Sequence, residues 1–180
     1  MRYIIDCCSL LNLYTGWKSL RPLAELNISL HVCENVLKEI LYVNEFALDG
    51  SKIKLAVDVC SLQSEFSYIV VRPESSDEIN DYVDFSVEID DGEAQSLAIA
   101  KHRQLILLSD DRKALILAKR EDICVHASTT TNMLRLWGEI SENNAKQLPE
   151  VLHRISNLAR FRPRVGSTER DWWDSVSGLV

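Results

Sequence analysis

No run of 18 or more apolar residues occurs in the chain, which argues against a membrane-spanning helix. The N-terminal Met1-Arg2-Tyr3-Ile4-Ile5-Asp6 meets an acid after an apolar run too short for a signal peptide, so the expected location is the cytoplasm. The cysteines number five, with Cys7 and Cys8 adjacent, and neither fact suits a disulfide framework. There is no C-x-x-C and no neighbouring His pair, so zinc templates fail and the cysteines read as small buried hydrophobes. His31, His102, His126 and His153 have no ligand spacing. Positive charge is also short: 20 Lys and Arg stand against 27 Asp and Glu, a net charge of −7. That excludes a broad electrostatic platform for nucleic acid but leaves room for an acidic site with a local basic rim. Walker loops, dinucleotide fingerprints, internal repeats and low-complexity segments are all missing.

What is present is one domain's worth of chain, 180 residues and 46% hydrophobic, enough for a proper core. Its organising stretch is Asp90-Asp91-Gly92-Glu93-Ala94-Gln95-Ser96-Leu97-Ala98-Ile99-Ala100, followed by Leu105-Ile106-Leu107-Leu108-Ser109-Asp110-Asp111. This reads as a helix, a short turn and a buried strand that stops at two acids. Glu93 shares a helical face with Leu97 and Ala100, so its carboxylate lies along the core-facing stripe.

Elsewhere Tyr3-Ile4-Ile5 reads as a strand ending at Asp6, and Ser9 to Tyr14 as a helix. Gly16 and Pro22 set off a second short helical piece, Trp17 to Leu26. A strand around Ile28 to Val32 leads into a helix from Glu34 to Val43, with Val36, Glu39, Ile40 and Val43 on one side. Residues 44–62 read as a loop or short helix, and Ser67 to Val71 as an edge or accessory strand. Ser75 and Glu78 form a capping box before a stripe of Ile79, Tyr82, Val83, Ser86 and Val87. Arg112 to Arg120 is helical, with Ala114, Leu115 and Ala118 inward, and Ile123-Cys124-Val125 is a further strand. Ser128 to Thr131 offers caps for a helix carrying Met133, Leu136, Trp137 and Ile140, and Pro149 suits the first turn of a last helix. Alternating strands and helices imply an α/β fold with a parallel sheet covered on both faces.

In open α/β sheets, ligands sit at the carboxyl ends of the strands. Asp6, Glu39, Glu93, Asp110 and Asp111 are the acids the pattern brings to that edge. Carboxylates converging in a cleft repel one another, and a cation relieves the repulsion. An all-oxygen set suits Mg²⁺ or Mn²⁺, and such ions serve metal-assisted hydrolysis of a phosphodiester. Each acid also has a plainer reading. A strand-end Asp caps a turn or helix, Glu39 and Glu93 can snorkel to water, and Asp90 and Asp91 read as ordinary N-caps. Arg112 and Lys113 either steer a phosphate backbone or start a solvated helix. Arg160, Arg162 and Arg164 either grip RNA through phosphates or form a solvated tail. Trp172 and Trp173 read as an anchor onto this domain or a partner.

Four segments together resemble the PIN-domain family, and within it the VapC-like toxin ribonucleases. They are Ile4-Ile5-Asp6; Val36-x-x-Glu39-Ile40-Leu41; Gly92-Glu93-Ala94 with Ile99-Ala100; and Leu107-Leu108-Ser109-Asp110-Asp111-Arg112-Lys113-Ala114. The resemblance spans roughly residues 1–140, leaving 141–180 as a C-terminal helix and an Arg- and Trp-containing tail packed on the domain or on a partner. It implies a three-layer sandwich around a central parallel sheet, and an endoribonuclease that hydrolyses single-stranded RNA with Mg²⁺ or Mn²⁺. Carried over, it nominates Asp6, Glu39, Glu93 and Asp111 as the catalytic quartet, with Asp110 as an alternate metal ligand. Ser109, Arg112 and Lys113 would meet the substrate. A cognate antitoxin and a homodimer are the partners it implies. The family usually has Ser, Thr or Asn two residues after the first Asp, where this chain has Cys8; Ser9 or Asn12 would have to substitute. A PIN-like module that binds RNA or protein with little or no catalysis is the alternative.

Overall fold

A computed structural model describes residues 1–178. In chain order these form β1 (Arg2–Ile5), α1 (Cys7–Trp17), a 3₁₀ helix (Arg21–Leu26), β2 (Ser29–Cys33), α2 (Glu34–Glu39), β3 (Tyr42–Phe46), β4 (Lys52–Ala56), α3 (Val59–Glu65) and β5 (Ile69–Val71). There follow α4 (Ser76–Phe85), α5 (Asp91–Arg103), β6 (Ile106–Leu108), α6 (Arg112–Ala118), β7 (Ala127–Ser128), α7 (Thr130–Ile140), α8 (Glu142–Arg154), a π-helical turn (Ile155–Ala159) and α9 (Thr168–Ser177). No helix among the described residues is long and apolar enough to cross a membrane. The chain divides into two compact units. The first comprises Met1–Leu10, Asn27–Ile40 and Ser67–Thr129; the second comprises Leu11–Leu26, Leu41–Phe66 and the residues from Thr130 onward.

The first unit is α/β, a five-stranded parallel sheet in the order β5-β2-β1-β6-β7, flanked by helices. Its central strands are short and almost wholly apolar because they are covered on both faces: Ile4, Ile5, Val32, Leu107 and Leu108 are fully buried. β5 is the edge strand that its β-rich composition suggests. The chain runs outward from β1 through β2 to β5, then returns to the other side of β1 to lay down β6 and β7. The order therefore reverses between β1 and β6. Such a switch point opens a crevice at the strands' carboxyl ends.

Three expectations for this unit fail. Ile79 and Val83 on α4 and Val87 just past its end face outward, at 48%, 56% and 85% exposed, while Glu78 and Phe85 are buried. Glu78 is drawn inward by Arg103, whose Nε and Nη2 donate to its two oxygens at 2.7 and 3.0 Å. It also completes the capping box with Ser75. The paired acid decides which face turns in. The strand placed at Ile123 to Val125 falls instead at Ala127–Ser128, because α6 ends in a turn that puts Cys124 at a left-handed φ of 50°. On α6, Leu117 rather than Leu115 joins Ala114 and Ala118 in the core.

The second unit holds the antiparallel hairpin β3–β4, paired from Tyr42↔Ala56 to Phe46↔Lys52, together with α3, α7, α8 and α9. This corrects two readings. The helix after β2 stops at Glu39 and Val43 lies on a strand; residues 44–62 contain most of a hairpin and the start of a helix rather than a loop. Gly16 lies within α1 instead of ending it. A Cβ there would stand 2.8 Å from Ile155 Cδ1, so glycine permits the close approach. α8 begins at Glu142, with the Ser141 hydroxyl accepting from the Asn144 N–H at 3.2 Å, and Pro149 sits well inside the helix rather than in its first turn. On α7, Met133 and Trp137 are buried but Leu136 and Ile140 are exposed. Trp173 is fully buried, edge-on to Phe161 at 5.7 Å, and its indole N–H donates to Ser156 Oγ, so the tail is anchored within this unit.

Candidate active site

Three of the acids at the first unit's switch point are also tied to a helix N-terminus. Asp6 follows β1 directly, and its Oδ1 accepts the Ser9 N–H at 2.7 Å, capping the first turn of α1. Asp111 follows β6 by three residues, and its Oδ1 accepts the N–H groups of Lys113 and Ala114 at 2.7 and 2.9 Å, capping α6. Glu39, at the end of α2, reaches α5, where its Oε1 accepts the Gly92 N–H at 3.1 Å. The positive end of each helix favours the ionised carboxylate. Capping and site-building are thus one arrangement, since each of these bonds uses a single oxygen.

The expectation that Asp90 and Asp91 are ordinary caps is corrected. Asp90 occupies the N-cap position of α5 but its side chain makes no cap bond. Glu39 supplies the acceptor from another helix instead. Gly92, named in the sequence only as part of the Gly92-Glu93-Ala94 segment, has a role there that the sequence reading did not assign. A Cβ at 92 would stand 2.7 and 2.9 Å from the two Glu39 oxygens, so only glycine lets that carboxylate reach the helix end. The available sign was a glycine in the first turn, where it adds nothing to helix propensity.

Asp6 is 1% exposed, and its Oδ2 is buried without a hydrogen-bond partner among the described residues. Burial pushes its carboxyl up to about 6. The Ser109 hydroxyl and the Ser9 N–H oppose that rise, and the charge of Asp110 adds to it. Glu93 rises to about 7, through burial first and then through the charges of Asp111, Asp6 and Asp90. Glu39 is raised by burial and by Asp90 and Asp91, against the bond from Gly92. Cys8 is exposed rather than the buried hydrophobe expected, yet the partial burial of its thiol, with the charges of Asp6, Glu93, Asp110 and Glu39, pushes it up to about 12. A neutral thiol therefore stands where four carboxylate fields overlap.

Asp6, Glu93, Asp110 and Asp111 thus come together, and Glu39 joins them through the end of α5. Asp110 acts on Asp6 and Asp111 on Glu93, so the charge of each member of the doublet reaches the cluster. Ser109 is buried, and its Oγ accepts the Asp111 N–H at 3.1 Å. Arg112 and Lys113 are exposed in the first turn of α6. Among the described residues no three His, Cys, Asp or Glu side chains stand so that they would hold an ion as they are. The donor chemistry nevertheless fits a hard cation. The set is all oxygen, it includes a buried orphan, and Mg²⁺ needs only one or two carboxylates with water and phosphate completing its shell. Compared with known proteins, the chain matches no family model and no curated relative.

Proposed function

We propose that the five-stranded unit is a PIN-type nuclease with that family's three-layer sandwich, a Mg²⁺- or Mn²⁺-dependent endoribonuclease acting on single-stranded RNA. The observation that carries this reading is the buried, unpartnered Oδ2 of Asp6 at the topological switch point, on a side chain that the charge of Asp110 reaches and whose own charge reaches Glu93. An uncompensated carboxylate oxygen there is costly unless something positive is to be received. Asp6, Glu93 and Asp111 or Asp110 would hold the ion, which when bound places Lewis-acid charge on the phosphodiester. Glu39 braces the start of α5 and so sets the direction of Glu93. Ser109 fixes the turn that carries Asp111. Burial raises Glu93 first, and the repulsion that adds to it is the repulsion a bound cation would relieve, returning its carboxyl to the ionised form that ligates. Arg112 and Lys113 lie beside the acids to meet phosphate oxygens.

The toxin of a toxin–antitoxin pair, a homodimer held in check by its antitoxin in the cytoplasm, is the cellular setting that fits this chemistry. A small adjacent reading frame encoding a DNA-binding protein would support it. The second reading, a PIN-like binding module with little or no catalysis, is favoured by the neutral Cys8 thiol and by the lack of three ready-placed ligands among the described residues. Cleavage of a labelled single-stranded RNA with Mn²⁺, Mg²⁺ or EDTA separates the two. The nuclease reading requires cleavage that depends on the ion and disappears in Asp6→Asn while the fold is retained. RNA binding without cleavage under every ion condition sinks it.

A further inference from the structure

The segment between the π-helical turn and α9, within the second unit, alternates in burial. Phe161 and Pro163 turn inward, Phe161 against the buried Trp173 and Pro163 itself buried, while Arg160, Arg162 and Arg164 are exposed. Three guanidinium groups therefore stand on alternate residues of a segment pinned from beneath. No carboxylate pairs with any of them among the described residues. Four other arginines are matched, Arg103 with Glu78, Arg120 with Glu88 and Asp122, Arg154 with Glu45 and Arg170 with Asp174, while those without an ion pair among the described residues, Arg2, Arg21, Arg72, Arg112 and Arg135, lie far apart from one another in the sequence. In a chain of net charge −7, three unmatched guanidinium groups within five residues are a local concentration of positive charge.

We infer that Arg160, Arg162 and Arg164 form a phosphate-gripping ridge for the backbone of single-stranded RNA. The identity of the polyanion rests on the ribonuclease reading above. Guanidinium forks suit phosphate oxygens, and contacts of this kind position a strand without reading its bases. Phe161 is turned away from the row, so the ridge offers charge and no stacking platform, and recognition is indifferent to sequence. A single short row fits one strand better than the paired phosphate rows of a duplex. The chain's net negative charge opposes approach to a broad anionic membrane surface.

The experiment is binding of a fluorescently labelled, mixed-sequence single-stranded RNA to the full chain in EDTA, followed by anisotropy across a salt titration. Three single-strand phosphate contacts give a log–log salt slope of about −2, so affinity should fall roughly 20-fold between about 50 and 200 mM salt. Replacing all three arginines by Gln should weaken binding at least about tenfold at low salt and flatten the slope by about two. Replacement by Lys should keep most of the slope, and an unchanged melting temperature in both variants shows that the ridge, not the fold, was altered. Equal affinity and slope in the Gln variant and the unaltered chain overturns the proposal, as does tighter binding of the duplex form of the same RNA. The two readings fail separately. Loss of binding in the Gln variant of a chain that never cleaves RNA keeps the ridge and removes the nuclease; unchanged binding with Asp6-dependent cleavage does the reverse.

Discussion

The backbone N–H of Gly92 donates to Glu39 Oε1 across 3.1 Å, and a methyl group at position 92 would stand 2.7 Å from that same oxygen. Gly92→Ala therefore sets two effects against each other. Alanine gains up to about 1 kcal/mol of helix propensity, while the lost cap costs about the same. The obstructed atoms are the far end of a flexible side chain, so Glu39 swings aside and the backbone stays. The expected result is a melting temperature within a few degrees of the unaltered chain but RNA cleavage reduced by about tenfold or more. Cleavage at the unaltered rate would show that Glu39 need not meet α5.

Asp6 and Glu93 set the pH dependence of stability. Both carboxyls are raised in the folded chain, to about 6 and about 7, above the ordinary carboxylate range. The folded state therefore binds more protons than the unfolded state between about pH 4 and 7. Stability that is present below pH 4 is lost as pH rises through the folded values. For fully buried Asp6, each tenfold weakening of the acid on folding corresponds to about 1.4 kcal/mol, and half-buried Glu93 contributes less because water screens it. Calorimetry in EDTA should show the melting temperature falling from about pH 4 to 8. Asp6→Asn should remove much of that slope and raise stability at pH 8 by about 1–3 kcal/mol while abolishing cleavage. Mn²⁺ should recover stability at pH 8 in the unaltered chain only. A flat profile in EDTA would mean that the acids do not interact as described.

Much of this cluster was legible because its acids interrupt apolar runs. Ile4-Ile5-Asp6 and Leu107-Leu108-Ser109-Asp110-Asp111 each end a buried strand at a charge, and no tertiary knowledge is needed to see that such a charge stands at a strand's end. The hairpin β3–β4 was missed although Asp49-Gly50 lies between two stretches of β-branched and aromatic residues, a recognised hairpin pattern. Val36 and Val43 share a helical spacing that masked it, and the backbone at Ile40 turns extended with ψ 107°. The outward face of α4 was illegible for a different reason. Glu78 looks like a surface acid until Arg103, 25 residues later, is known to reach it. Glu39 capping α5 is likewise a contact across 53 residues, which periodicity does not encode.

Cys8 tests the second reading of the site. Its thiol is pushed up to about 12 by burial and the surrounding acids, so it stays neutral and donates only a weak hydrogen bond. The PIN-type family proposed above usually carries a hydroxyl or amide at that position. Cys8→Ser restores a strong donor and acceptor of similar size. Single-turnover cleavage in Mn²⁺ should rise several-fold, with the melting temperature little changed. An unaltered rate would mean that Ser9 already serves, or that the unit does not cleave RNA, and the Asp6→Asn control tells these apart.

In the second unit, Arg154 Nη1 and Nη2 hold both oxygens of Glu45 at 2.8 and 2.6 Å, and its Nε donates to the Thr15 carbonyl at 3.0 Å. The Arg154 side chain is 7% exposed, so the pair ties strand β3 to helix α8 largely out of water. The bond to Arg154 also holds the Glu45 carboxyl below its usual range. Arg154→Ala strands a partly buried carboxylate and an unmet carbonyl together, which should cost about 3–5 kcal/mol and lower the melting temperature by roughly 6–20 °C. Replacing both partners, Glu45→Leu with Arg154→Met, leaves no orphaned charge and should recover most of the loss, because an ion pair and a well-packed apolar pair of similar volume are nearly equivalent in a core. A double variant as unstable as Arg154→Ala would show that the carbonyl of Thr15, rather than the carboxylate of Glu45, is what Arg154 is there to satisfy.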